Sequence, residues 1–178
     1  IAQPLAKEPN EHPRHNQDYV AVDLEEIDDE HVPRCLFIPA CGPEEYRRRM
    51  PRLNGVPFGE FFRHVHRDML PLTGERTFVS SIQPPGVAHV HAVISFAFES
   101  KGELAAASAL WASLPVDYLL RARGGQHLTV GVAAGLPVPS DSRVRSAFIA
   151  RALRSNCLTS HYKPLWDALW SICSDAPE

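Results

Sequence analysis

The stretch RTFVSSIQPPGVAHVHAVISFAFESKGELAAASALWASLPVDYLLRARGGQHLTVGVAAGLPVP, residues 76–139, decides the fold. An extended segment, Arg76–Gln83, meets a Pro84-Pro85-Gly86 turn. Within it, Thr77 to Ile82 reads as a strand. A β-branched and aromatic run, Val87 to Phe98, predicts a second strand, with His89, His91, Val93 and Ser95 alternating onto one face. An Ala/Leu-rich helix follows from about Glu103, and Pro115 predicts a kink or break in it. Gly124-Gly125 ends that element. A short apolar segment, expected as a further strand, runs to the Leu136-Pro137-Val138-Pro139 stop. The pattern implies an α+β fold: a small mixed or antiparallel sheet covered by about four helices.

Downstream, Asp141 or Ser142 can cap a helix reaching about Ser155, which carries Arg143, Arg145, Arg151 and Arg154. Leu165, Trp166, Leu169 and Trp170 form the apolar stripe of a last helix. Upstream, Phe58, Phe61, Phe62, Val65 and Met69 recur at helical spacing, so 58–70 reads as a helix. His64 and His66 would then diverge by about 200° and could not share a metal. Pro43 and Glu44-Glu45 suit the start of another helix, and Arg47-Arg48-Arg49 its end. Leu53-Asn54-Gly55 reads as a turn, Leu36-Phe37-Ile38 as a buried strand, and Tyr19 to Val22 as a short strand. Residues 1–17, rich in Pro, His, Asn and Gln, read as a flexible arm or linker, leaving 18–178 as the folded unit.

The chain of 178 residues has room for one domain with a sizeable core. The N-terminal stretch shows no signal-peptide pattern and begins without Met, which reads as a fragment or processed piece. No apolar run approaches a membrane span. Four cysteines are too few for a disulfide scaffold, which suits a reduced, cytoplasmic chain. The net charge of −3 is unevenly spread: residues 1–45 carry −8, and residues 46–178 carry +5. The basic part permits nucleic-acid binding without requiring it. The acidic run Leu24 to Glu30 reads as a solvated face or turn.

The residues of this region resemble a known family. Arg76-Thr77 precedes a hydrophobic strand and Pro84-Pro85-Gly86. Ser113 to Asp117-Tyr118, Gly124-Gly125-Gln126-His127-Leu128 and Leu136-Pro137-Val138-Pro139 follow in order. Asn156-Cys157-Leu158-Thr159 and Tyr162-Lys163-Pro164-Leu165-Trp166 come last. This series, over roughly Tyr46 to Trp170, is similar to the target-recognition region of bacterial restriction–modification and phage-defence proteins. In those, an N6-adenine DNA methyltransferase and its specificity domain share one chain. Ala112 stands where the family usually has Asn.

The resemblance implies a domain, 18–178, that reads a short double-stranded DNA sequence for a methyltransferase domain of the same parent chain. It implies that S-adenosylmethionine is held there, with or without an endonuclease. This chain's own residues agree with a non-catalytic role. It has no Gly-rich cofactor loop, and Gln83-Pro84-Pro85-Gly86 lacks the aromatic ring of an adenine-methylating Asn-Pro-Pro-aromatic motif. The expected DNA-binding residues are Arg63, Arg67, Arg76, His89, His91, Arg121, Arg123, Gly124, Gly125, Gln126 and His127. In the loop 121–127, Arg can grip guanine or phosphate and Gln can read adenine. The two glycines let the backbone approach a duplex closely.

Other chemistries are also written in the residues. Glu99-Ser100-Lys101 with Asp68 fits a metal-dependent nuclease pattern. His89 and His91 at i and i+2 of a strand, or His31, Cys35 and Cys41, could ligate a metal, but neither set is complete or well spaced. The expectation is therefore no metal and no catalytic residue. A protein-interaction module using the acidic stretch and the Trp-rich last helix is the reading from another class.

Overall fold

A computed structural model describes residues 7–12, 14–15, 18–32 and 37–173. In chain order these form β1 (Lys7–Pro9), β2 (Tyr19–Ala21), α1 (Pro43–Arg49), β3 (Arg52–Leu53), β4 (Val56–Pro57), β5 (Arg63–Arg67), β6 (Ser80–Gln83) and β7 (Val93–Ala97). The helices α2 (Lys101–Trp111), α3 (Leu114–Arg123), α4 (Val130–Ala133), α5 (Ser142–Asn156) and α6 (Lys163–Cys173) follow. The fold is α+β. Its sheet has three antiparallel strands in the order β6-β5-β7, beside two two-stranded antiparallel ribbons. No helix among the described residues is long and apolar enough to cross a membrane.

Local chemistry sets most of the boundaries. Pro43 and the acidic Glu44 and Glu45 open α1, its last turn is Arg47, Arg48 and Arg49, and Arg49 pairs with Glu45 at 2.5 Å. Asn54 (φ 50°) and Gly55 (φ 81°) make the left-handed turn that joins β3 to β4. Ser100 caps α2 by accepting the Glu103 N–H, and Asp141 caps α5 through the Val144 N–H. Pro115 falls in the first turn of α3, so the expected break separates α2 from α3.

Several expectations are corrected. Residues 63–67 form the central strand, not a helix. Apolar Phe62 and Val65 fall on opposite faces of it, so no apolar–polar alternation marks it as a strand, and pairing on both sides outweighs the helical spacing of the phenylalanines. The strand expected from Val87 begins only at Val93; His89 and His91 lie in the loop and turn before it. The apolar segment after Gly125 is the one-turn helix α4, with only an isolated bridge between Met69 and His127. Phe37 and Ile38 are exposed coil, Ile38 to 90%. Lys7–Pro9, within the stretch read as an arm, pairs with Tyr19–Ala21. Residues 1–6 and 33–36, including Cys35 of the possible zinc set, lie outside the described residues.

The core has two connected parts. Phe62, Ile82, Leu104, Ala105, Leu153, Tyr162 and Leu165 fill the space between the sheet and α2, α5 and α6. Phe78, Trp111, Val116, Leu120, Leu128 and Leu136 fill the space beneath α3 and α4. His64 and His66 point into the helix-facing side, with His64 edge-on to Trp111 at 4.7 Å and His66 stacked on Phe96 at 5.9 Å.

Candidate nucleic-acid interface

The chain leaving β5 builds one end of the sheet around Asp68. Its N–H donates to the Ala92 carbonyl (3.1 Å), and its carbonyl accepts the Leu128 N–H (2.8 Å). Its carboxylate holds His127 Nδ1 at 2.8 Å. One residue pair on, the Leu70 N–H donates to the Gln126 carbonyl (2.8 Å). The loop after α3 is thus fixed against the strand, and the turn before β7 is fixed beside it. Arg67 at the end of β5, His91 in that turn, Arg123 at the end of α3, and Gln126 and His127 in the loop are all exposed at this end.

Gly124 (φ 66°) and Gly125 (φ 136°) take backbone conformations that side chains disfavour, and open space surrounds both. They are glycines because of the turn, and the turn leaves the backbone bare. The side chains of Arg67, Arg123 and Gln126 make no hydrogen bond or ion pair with another described residue. Two guanidinium forks and an amide are therefore free to meet phosphate or base edges, beside the exposed His91 and the His127 ring held by Asp68.

The remaining expected residues are placed differently. Asp117, 5% exposed, accepts the N–H groups of Thr77 (2.9 Å) and Phe78 (2.7 Å). Arg76 Nε lies 3.5 Å from the same carboxylate, and its guanidinium donates to the Ala112 carbonyl. Arg121 donates to Thr77 Oγ1 (2.9 Å) and to the Gly74 carbonyl (2.8 Å). Both arginines thus staple α3 to the segment 74–78. Arg63 is buried at the other end of β5, about 13 Å away at strand rise, and donates to the Val87 carbonyl and to Gln83. His89 sits near Arg63, with Nδ1 against the Val90 carbonyl; burial chiefly lowers its pKa, and Arg63 adds to that.

The nuclease pattern is split. Asp68 lies beside His127, while Glu99 follows β7 at the opposite end of the sheet and accepts from Asn54 (3.1 Å). Lys101 reaches the Pro164 carbonyl (3.1 Å). Among the described residues no three His, Cys, Asp or Glu side chains gather as a metal site. Two groups look reactive but are poorly suited to catalysis. Ser108 Oγ meets His64 Nδ1 at 3.0 Å, but burial lowers the His64 pKa to about 3, which makes it a weak general base at neutral pH. Burial pushes the Cys157 thiol up to about 12.

Asp68, Asp117 and Asn156 are the organising residues that sequence reasoning did not assign these roles. Their partners lie 59, 40 and 74 residues away, so no local spacing signals them. No protein-family model matches the chain, and neither a curated protein nor a solved structure matches it.

Proposed function

We propose that this chain reads a short double-stranded DNA sequence through the Asp68 end of its sheet. The observation that carries the reading is the gathering of Arg67, His91, Arg123, Gln126 and His127 around an open Gly124-Gly125 loop. Arg123 suits a bidentate contact to guanine O6 and N7, and Gln126 one to adenine N6 and N7. Arg67 suits a phosphate, setting the register in which the loop reads bases. The resemblance to target-recognition regions supports the same assignment. On that reading the chain serves a cytoplasmic adenine methyltransferase domain of its parent protein, which holds S-adenosylmethionine, in a restriction–modification or phage-defence system.

The test is selection from a pool of randomised duplexes. The expected result is enrichment of one short motif whose binding weakens steeply with salt. Recovery of no motif, with salt-independent binding, would contradict the reading. A second reading, docking of a partner protein, has one observation in its favour. Leu114 and Tyr118, one turn apart on α3, are 69% and 72% exposed. Binding through that face would be insensitive to salt.

A further inference from the structure

Strand β6 is an edge of the sheet, and α2, the start of α3 and α5 close around it. They leave a cleft of about 740 Å³, in the size range of small-molecule sites. Its lining holds serines from four elements, among them Ser80 on β6, Ser108 on α2 and Ser113 at the start of α3. Arg151 and Arg154 come from α5, and Phe148 with Ala109 and Ala112 makes apolar wall. Among the described residues no carboxylate lines it.

Two hydroxyls in this cleft are left unused. Ser80 is 5% exposed, and its Oγ is buried without a hydrogen-bond partner. Ser113 occupies the N-cap position of α3, yet its side chain makes no capping bond, and its buried Oγ also has no partner. Buried hydroxyls without partners are uncommon, and two lining one cleft point to an absent acceptor. The backbone adds a third donor. Ile82 gives its N–H to Asn156 (2.9 Å) and its carbonyl to Tyr162 (3.0 Å), so both groups point away from β5. Alternation in an antiparallel ladder turns the Ser80 N–H to the same outer side.

The arginines supply charge at the mouth. Arg151 and Arg154 are exposed and three residues apart, so they share a helix face. Arg151 has only a long contact to the Ala147 carbonyl at 3.4 Å, and Arg154 rests over the Trp170 ring at 5.6 Å. Short hydroxyl donors within and two guanidinium forks outside match the several oxygens of a phosphate group better than a single carboxylate. The apolar wall and the volume leave room for an organic body.

We propose that this cleft binds a small organic phosphate of nucleoside-monophosphate size, at a site separate from the Arg123 loop. The proposal stands whether or not the chain reads DNA. It is tested by calorimetric titration with adenosine monophosphate, inorganic phosphate and adenosine. Adenosine monophosphate should bind and raise the melting temperature, phosphate should bind more weakly, and adenosine should bind at least about tenfold more weakly. Arg151→Gln, and separately the pair Ser80→Ala with Ser113→Ala, should each weaken the nucleotide about tenfold without lowering the unliganded melting temperature. Adenosine binding as tightly as its monophosphate would overturn the proposal. So would no binding of either phosphate at millimolar concentration, or unchanged binding in both variants. Displacement of the nucleotide by duplex DNA would also overturn it, by making the cleft part of a DNA surface.

Discussion

At the residue scale, the central strand carries two histidines where an apolar sheet face is needed. His64 is 0% exposed, and burial, with His66 beside it, holds its pKa near 3. In the unfolded chain the value is about 6.5. Between those values the unfolded chain binds more protons, so stability is complete above the higher value and is lost as pH falls toward the lower. The loss is about 1.4 kcal/mol per pH unit, or roughly 2 kcal/mol between pH 6.5 and 5. His66, whose pKa burial also lowers, acts in the same direction. Urea denaturation at several pH values should show His64→Gln with a shallower acid dependence than the parent chain. Equal slopes would mean that His64 is not held neutral by the fold.

At the element scale, segments far apart in sequence are joined by single polar side chains. Asp117 on α3 anchors the start of the β6 segment through two backbone N–H groups and the flanking Arg76 and Arg121. Asp117→Ala would leave those buried donors unpaired and should cost about 3 kcal/mol. A chemical-denaturation midpoint close to the parent's would refute that role. Asn156 and Tyr162 serve β6 in the same way, covering the sheet edge at Ile82. These links explain what was legible in the sequence. Pro43, Pro115, Pro85-Gly86 and Asn54-Gly55 act on their neighbours, so the turns and helix starts they imply are present. The α+β class follows from the same signals. The strand at 63–67 was not legible, because Phe62 and Val65 keep the helical spacing and only pairing with β6 and β7 makes the segment a strand. The candidate site was half legible. The loop 123–127 stands out by Arg, Gly and Gln, but Arg76 and Arg121 carry the same chemistry and are spent on Ala112, Asp117 and the segment 74–78, which no spacing reveals.

At the scale of the whole molecule, the uneven charge acquires a place. The acidic segment before α1 docks by Asp29 and Glu30 against Ser160 and His161, in the turn just before α6. Those contacts involve no residue of the Arg123 loop. With Arg67 and Arg123 free, each phosphate contact should contribute a slope of about −0.9 to log K against log salt. Loss of Arg67 should flatten that slope while leaving site preference intact. The proposed role of the loop held by Asp68 is to read DNA bases. The most direct measurement is a titration of labelled duplexes, selected motif against scrambled sequence, with the Arg123→Ala, Gln126→Ala double variant at two salt concentrations. The expected result is a loss of about 1–3 kcal/mol per contact on the selected duplex and little further change on the scrambled one. Unchanged affinity for both duplexes in a folded double variant would contradict it.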